Sequence, residues 1–416
     1  MTAEPDSPSR RLLERAAAVI PGGIYGHTSP AVGLPDAFPP FAVSADGCRY
    51  RDADGREWLD FMCGYGPVIL GYGHPAVEEA AATQREAGNV FNHPTARMVE
   101  LAETLTTRIT FADWAVFGRN GSDLTTWAIQ VAREHTGRPK VLMAEGAYHG
   151  VDAWCTPGHG GLIAEDRVHI HRFRWNDPDS LEMLLKTHVD QVAAVILTPY
   201  HHPAFAEADM PADGWWATVE RLCRRHGALL VLDDIRAGFR LHPAGSHRRF
   251  GFTPDIAVYC KALANGYPIS AALGTDRLKP AAGRVFLTGS FWNNAVPMAA
   301  ALACLREMDR LGVVDRLEQL GARLAEGLVA AGREAGFDLR VTGPVSMPTV
   351  TFGDDPDLYR VQAFCREVCR RGVFFHPHHN WFLSAAHDEA AVDTALRVSR
   401  EALGSLRTAT RDVTQM

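Results

Sequence analysis

The chain has 416 residues, of which 46% are hydrophobic, and its formal net charge is −7 at pH 7. A chain of this length can bury a sizeable core and is expected to form one large and one smaller domain. Acidic and basic residues are mixed along the whole sequence, so the charge pattern argues against a nucleic-acid or membrane-surface partner.

The N-terminal stretch, MTAEPDSPSRRLLERAAAVIPGG, places acids before its basic pair and lacks the apolar core of a signal peptide. The sequence contains no run of about 18 apolar residues that could cross a membrane. We therefore expect a cytoplasmic protein. The eight cysteines have no CxxC spacing, and we expect them to be reduced.

The first 45 residues predict a short helix followed by an extended arm. Residues 41–62 then alternate apolar and polar side chains around two Asp-Gly pairs, which predicts a hairpin or small meander of strands. Between about residues 75 and 275, helical patterns alternate with short apolar runs. This alternation predicts a mostly parallel sheet with helices on both faces.

From residue 296 onward, long helical patterns are followed by short strand patterns and a final helix, which predicts a smaller α/β lobe. We expect a large domain at 60–295. The smaller domain would combine residues 1–59, as an N-terminal arm, with residues 296–416.

Two residues that follow apolar strands could carry chemistry. Asp233 lies at the end of GALLVLDD, and ligands of open α/β sheets collect at the carboxyl ends of strands. Such an acid could equally cap a helix or bind a metal. Lys261 follows the run IAVYC, where apolar surroundings would lower its pKa and make it a nucleophilic amine. Alternatively, it extends from a strand end to solvent.

Two loops could hold an anionic, planar ligand. The segment Asn120-Gly121-Ser122-Asp123 precedes a helical pattern, and the amides at a helix N-terminus bind phosphate. The same four residues are also typical of a turn with an N-cap. Tyr148 and His149 follow a predicted strand, where they either stack on a planar group or fill a loop.

Taken together and in this order, the motifs resemble those of class III aminotransferases, and most closely those of glutamate-1-semialdehyde 2,1-aminomutases and related aminotransferases of secondary metabolism. The similar stretches are PGGIYGHTSP, RDADGREWLDFMCGYGPVILGYGHPAV, NGSD, EGAYHG, LDDIRAGFR, CKALANGYPISAALG, LTGSFWNNAVPMAAA and FLSAAHDEAAVD. The resemblance implies a fold-type I α/β transferase with a mostly parallel seven-stranded sheet and pyridoxal 5'-phosphate (PLP) as cofactor.

The resemblance also implies roles for individual residues. Lys261 matches the lysine that forms a Schiff base with the cofactor and then carries the proton, and Asp233 matches the partner of the pyridine nitrogen. The other matching positions are Asn120, Gly121 and Ser122 for the phosphate, Tyr148 for the ring face, His149 near the cofactor, and Ser290 for the phosphate of the neighbouring subunit in a homodimer.

The substrate side departs from the family pattern. The aminomutases carry an arginine for a substrate carboxylate in the N-terminal arm, whereas this arm reads GGIYGHTSP. A tyrosine replaces the tryptophan of the family's WGP, and Thr198 stands where an acid is usual. We expect a pocket that favours a neutral or polyhydroxylated substrate, lined by Tyr25, His27, Tyr65, His379 and Asn380.

Two arginines, Arg119 and Arg236, stand beside cofactor motifs where the family has smaller or apolar residues. Either could replace the missing carboxylate clamp or bind phosphate, and otherwise both are structural. The histidine pair at 201–202 and the run at 375–379 lack an acidic or cysteine partner at ligand spacing, so we predict no metal site.

The predicted reaction is transfer of an amino group between a small-molecule amine and a ketone or aldehyde. One alternative is a 2,1-aminomutase, which would perform both half-reactions on one bound molecule. A second alternative is a non-catalytic relative that serves as a binding or assembly subunit.

Overall fold

The structure, a computed structural model, describes residues 7–26, 37–203 and 206–414, with side chains up to 407. The predicted first helix, α1 (Pro8–Val19), begins at Ser7, whose hydroxyl accepts a hydrogen bond from the amide of Arg10. Pro8 occupies the first helical position, where a missing N–H leaves no bond unmade. The predicted meander is confirmed, because three strands pair antiparallel: β1 (Ala42–Asp46), β2 (Arg49–Asp52) and β3 (Glu57–Asp60).

A larger compact unit is formed by residues 75–203 and 208–314, and it alternates helices and strands as predicted. In chain order its elements are α2 (Pro75–Ala87), α3 (Ala96–Arg108), β4 (Trp114–Gly118), α4 (Gly121–Thr136), β5 (Lys140–Ala144), β6 (Ile170–Phe173), α5 (Pro178–Thr187), β7 (Val192–Leu197), α6 (Trp215–His226), β8 (Leu229–Asp233), α7 (His247–Phe250), β9 (Ile256–Tyr259), β10 (Ser270–Gly274), α8 (Lys279–Arg284) and α9 (Ala295–Arg310).

The strands of this unit form one seven-stranded sheet in the order β4-β10-β9-β8-β7-β5-β6. The pairs β9-β8, β8-β7, β7-β5 and β5-β6 are parallel, and β10 runs antiparallel to both of its neighbours. Every residue of β7 and β8 is buried, as expected for strands covered on both faces. The prediction of a mostly parallel seven-stranded sheet is confirmed.

A second compact unit contains the described residues up to 74, residues 206–207 and those from 315 onward. Its remaining elements come from the C-terminal third of the chain: α10 (Val313–Ala335), which begins two residues before the unit does, β11 (Leu339–Thr342), β12 (Thr349–Phe352), α11 (Tyr359–Cys369), β13 (Val373–Phe374) and α12 (Glu389–Thr414). β13 pairs parallel with β3 and extends the meander to four strands. This second unit thus combines helices and strands.

All eight cysteines are free thiols. Within the described ranges, no helix has the length and apolar character needed to cross a membrane. The described residues also include no cluster of three His, Cys, Asp or Glu side chains that could hold a metal ion.

Candidate active site

The candidate site lies at the carboxyl edge of the seven-stranded sheet. Strands β4, β5, β8 and β9 all point the same way, so the residues that follow them gather at one edge. Asn120 follows β4 by two positions, His149 lies in the loop after β5, Asp233 is the last residue of β8, and Lys261 follows β9 by two positions. The topology therefore gathers the main cofactor candidates of the sequence on one side of the large unit.

Asp233 and His149 form a buried pair at this edge. Nδ1 of His149 lies 2.8 Å from Oδ2 of Asp233, and the amide of Ile235 donates to Oδ1 at 3.2 Å. Only 1% of His149 and 5% of Asp233 is exposed. Nε2 of His149 is buried and has no hydrogen-bond partner among the described residues. The imidazole thus fixes the orientation of the Asp233 carboxylate.

Lys261 has a strained backbone and a depressed pKa. Its φ angle is 23°, in the left-handed region that residues with a side chain rarely adopt. Burial and, to a smaller extent, the positive charge of Arg236 lower the pKa of the Lys261 amine to about 7. A large fraction of the amine is therefore neutral near pH 7, which is the form that attacks an aldehyde.

The loop before α4 is both a capped helix start and a close-packed turn. The Asp123 carboxylate accepts hydrogen bonds from the amides of Arg119 and Asn120 at 3.0 and 2.8 Å. A side chain at Gly121 would come within 2.3 Å of the Ile235 side chain, so a larger residue there would have to displace that side chain. The N-cap interpretation is correct, and it leaves the amides of the first helical turn directed toward the site.

The loop after β5 is tied to the same helix. The Ser122 hydroxyl accepts the amide of Val151 at 3.2 Å, and the Thr125 hydroxyl donates to the carbonyl of His149 at 2.7 Å. Tyr148, which directly precedes His149 in this loop, keeps 41% of its surface exposed. Its ring is therefore open to a planar partner.

Arg236 lies among charged and polar groups of the large unit. Its guanidinium is hydrogen-bonded to the Tyr200 hydroxyl, and the negative charge of Asp233 acts on it. It also acts electrostatically on His202 and Lys261. Tyr200 and His202 also follow β7 at this sheet edge, and the sequence does not predict either of them as a site residue.

Two other candidates, Arg119 and Ser290, are placed by the contacts around the loop before α4. The guanidinium of Arg119 stacks over the ring of Phe291, 5.3 Å from its centroid. The adjacent residue, Ser290, is exposed. Arg119 therefore supports the segment that carries Ser290, which favours its structural interpretation.

The predicted substrate residues of the smaller unit divide into three groups. The Tyr65 ring packs edge-on against His379 at 5.4 Å, on a turn in which Tyr65 has a φ of 66°. Asn380 is buried, and its amide nitrogen donates to the carbonyl of Trp381. Tyr25 is 80% exposed, and His27 lies outside the described residues.

Comparison with known proteins identifies the family. The sequence profile described as aminotransferase class-III matches residues 35–388. The chain is 44% identical to the aminopentol aminotransferase of Sphingopyxis macrogoltabida over 95% of this chain and 93% of that protein. It is 33% identical to the glutamate-1-semialdehyde 2,1-aminomutase of Anaeromyxobacter sp. (strain K), over 92% of both chains.

The structure of the FumI protein of Sphingopyxis sp. MTA144, in its PLP internal aldimine form, superposes with a TM-score of 0.95. The two chains are 42% identical, and the match covers 98% of each. The chain belongs to the class III aminotransferases. The predicted family and the fold-type I architecture are confirmed, and PLP is the cofactor of this family.

The described site of this class III aminotransferase fits PLP by its own chemistry. A lysine with a largely neutral amine can bind the aldehyde, and a fixed carboxylate can face the ring nitrogen. The exposed Tyr148 ring offers a stacking surface, and the glycine-dependent start of α4 offers amides to a phosphate. Each part of the cofactor therefore has a matching group at one sheet edge.

Proposed function

We propose that this aminotransferase acts on a neutral or polyhydroxylated amine and that Lys261 is the covalent anchor of PLP. The observation that carries the cofactor assignment is the fixed Asp233–His149 pair at the sheet edge where Lys261 also lies. When bound, PLP accepts the electron pair that is left on the substrate carbon after its proton is removed.

The residues of the chain would divide the remaining work. Lys261, whose amine is largely neutral near pH 7, would be the base that removes the proton from the carbon bearing the substrate amine and later returns that proton to another atom. Asp233, oriented by His149, would hold a proton on the ring nitrogen. Asn120, Gly121 and Ser122 would bind the phosphate, and Tyr148 would cover the ring.

The substrate assignment rests on three supports. The N-terminal arm lacks the arginine with which the aminomutases bind a carboxylate. The relative at 44% identity is an aminopentol aminotransferase, a name that denotes an amine with five hydroxyl groups. Within the smaller unit, the Tyr65 and His379 rings pack edge-on, and they carry a hydroxyl and an imidazole rather than a guanidinium. We propose that these two residues, with Tyr25, His27 and Asn380, contact the donor.

We further propose a cytoplasmic homodimer in which Ser290 binds the cofactor phosphate of the neighbouring subunit. Ser290 is exposed, and the same segment exposes Phe286 and Phe291, at 84% and 52%. Exposed apolar side chains on one segment are typical of a surface that a partner covers.

A spectroscopic experiment tests the cofactor assignment. The purified protein incubated with PLP should show an absorbance band near the edge of the visible range, and borohydride should fix the cofactor on a peptide containing Lys261. Lys261→Ala should abolish both signals, whereas Lys279→Ala, which removes an exposed lysine of the same unit, should retain them. A protein that stays colourless with excess PLP would contradict the proposal.

An aminomutase is the second candidate, because a relative at 33% identity has that activity. The two reactions differ in stoichiometry. An aminotransferase consumes one oxo compound for each amine converted, whereas a mutase converts a single compound without any acceptor. We expect turnover of an aminopolyol only when an acceptor is supplied; turnover of glutamate 1-semialdehyde alone would favour the mutase.

A further inference from the structure

Three polar residues outside the cofactor motifs lie together at the carboxyl edge of the large sheet. The Tyr200 hydroxyl is hydrogen-bonded to the Arg236 guanidinium, and the Tyr200 and His202 rings meet edge-on at 5.2 Å between centroids. Tyr200 is fully buried, so its hydroxyl can hold the guanidinium in one place. We refer to Tyr200, Arg236 and His202 as the guanidinium cluster.

Positive charges act on Lys261 from the guanidinium cluster and from a neighbouring arginine. Arg236 and the buried Arg240 both act on Lys261, and Asp233 is the carboxylate that acts on Arg236. Asp233, however, already accepts one hydrogen bond from His149 and one from the amide of Ile235. The region beside Lys261 is therefore suited to a further anionic group.

His202 adds a neutral donor to this positive region. Both of its ring nitrogens are buried and have no hydrogen-bond partner among the described residues. Burial lowers the pKa of His202 well below its usual value, and the charge of Arg236 lowers it further, so the imidazole stays neutral. A neutral imidazole beside a guanidinium can donate one N–H to an anion without adding charge.

We propose that the guanidinium cluster is the carboxylate subsite for the amino acceptor, a small 2-oxo acid, and that Arg236 determines this specificity. The proposal rests on the proposed function, because only an aminotransferase needs a separate acceptor. A guanidinium matches a carboxylate with two parallel hydrogen bonds. The donor, which is neutral apart from its amine, would be recognised elsewhere in the pocket.

The half-reaction that the subsite serves is balanced without an external oxidant. C2 of the oxo acid exchanges its carbonyl oxygen for an amino nitrogen and gains one hydrogen, a two-electron reduction. The nitrogen and the two electrons come from the aminated cofactor, which returns to the aldehyde. Water released in the condensation is taken up again when the amino acid leaves, and Lys261 moves the proton.

Stopped-flow absorbance on the enzyme loaded with the aminated cofactor tests the proposal. Pyruvate is the anionic probe and pyruvamide its uncharged counterpart. Arg236→Gln should raise the pyruvate concentration needed for half-saturation on the order of 10- to 100-fold, the effect of losing hydrogen bonds to a charged group. Half-saturation by pyruvamide should change less than threefold, as a rough bound for an uncharged partner.

Further variants should raise the half-saturating concentration of pyruvate by different amounts. Arg236→Lys keeps the charge but not the paired geometry, and it should lie between the parent and Arg236→Gln. Tyr200→Phe removes the hydroxyl that positions the guanidinium, and His202→Phe removes the neutral donor. Each variant should raise the half-saturating concentration of pyruvate more than that of pyruvamide. Arg224→Gln, which removes an exposed arginine of α6, is the matched control and should match the parent.

The same experiment separates the possible failures. If Arg236 contacts only the cofactor, Arg236→Gln will alter the cofactor absorbance and slow the reactions with pyruvate and pyruvamide by the same factor. That result would overturn the proposal. Unchanged half-saturation by pyruvate also overturns it. If the parent enzyme binds PLP but neither amines nor oxo acids change its spectrum, the proposed function itself has failed.

Discussion

Two consecutive carboxylates, Asp233 and Asp234, have different environments. Asp233 is bonded to an imidazole whose other nitrogen has no partner among the described residues. Asp234 accepts the amide and the hydroxyl of Ser246, at 2.8 and 2.6 Å, and burial raises its pKa to about 7. The Asp233 carboxylate therefore belongs to the candidate site, whereas the Asp234 carboxylate stabilises the following turn through its hydrogen bonds to Ser246.

Removal of the imidazole should weaken the site through Asp233. His149→Phe keeps a ring in the buried space but leaves one oxygen of Asp233 without its partner, at a cost of about 1–3 kcal/mol. We expect a PLP dissociation constant on the order of tenfold higher and a slower amine half-reaction. Absorbance titration of the apoenzyme with PLP measures the dissociation constant. His169→Phe, in an exposed loop, is the control. Equal PLP dissociation constants for His149→Phe and His169→Phe would refute the role of His149.

The depressed pKa of Lys261 predicts how cofactor attachment depends on pH. The neutral amine is the reactive form, so the rate of attachment to apoenzyme should rise as pH increases toward about 7 and level off above it. Arg236→Met removes a positive charge and should move the midpoint upward. Borohydride trapping across the pH range measures the midpoint. A parent midpoint above pH 9 would contradict the prediction.

At the scale of elements, α4 and the loop after β8 approach so closely that a side chain at Gly121 would collide with the Ile235 side chain. Gly121→Ala should lower PLP affinity, because overpacking of this kind costs about 1–3 kcal/mol. The double variant Gly121→Ala/Ile235→Ala removes the obstructing atoms and should recover part of the loss. Isothermal titration of each apoenzyme with PLP tests this. Ile235→Ala alone is the control, and no recovery in the double variant would show that the contact is not the cause.

Most elements of the large unit could be predicted because their sequence periods are unambiguous. The runs at 114–118, 140–144, 192–197 and 229–233 are short and apolar, and each became a strand of the sheet. The direction of β10 could not be predicted, because a buried strand has the same apolar sequence pattern whether it is parallel or antiparallel to its neighbours.

Only the site residues that stand in a recognisable sequence motif could be predicted. Lys261, Asp233 and the loop at Gly121 stand in recognisable motifs, and their roles stay proposals. The His149–Asp233 hydrogen bond joins loops that are far apart in the chain, and neither motif indicates it. Tyr200 and His202 follow a strand without any motif, so only the fold reveals that they adjoin Arg236.

At the scale of the whole molecule, the sequence predicts a large domain at 60–295, whereas the described residues form one compact unit within 75–314 and a second from the chain segments before and after it. The difference consists of residues 60–74, which include the turn at 63–66, and residues 296–314, which contain most of α9. The predicted domain limits remain a prediction, as does the contact of His27 with substrate.

The proposed dimer makes a prediction about mixed subunits. Ser290→Ala should weaken PLP binding roughly 10- to 100-fold if the hydroxyl binds the phosphate. In a heterodimer of a Ser290→Ala subunit with a Lys261→Ala subunit, the intact Lys261 receives Ser290 from its partner. We therefore expect that one site to regain the parent's PLP affinity, measured by absorbance titration after affinity purification of the mixed dimer. Failure to regain it would place Ser290 outside the neighbouring site.

The bonds from Ser122 to Val151 and from Thr125 to His149 have a thermodynamic consequence. They join the segment suited to a phosphate to the segment suited to a ring, so ordering one segment restricts the other. An ion bound at the start of α4 then reduces the conformational entropy that remains to be lost around Tyr148. We therefore expect inorganic phosphate and phosphate-free pyridoxal, supplied as separate molecules, to bind with positive cooperativity, each raising the affinity for the other by the same factor.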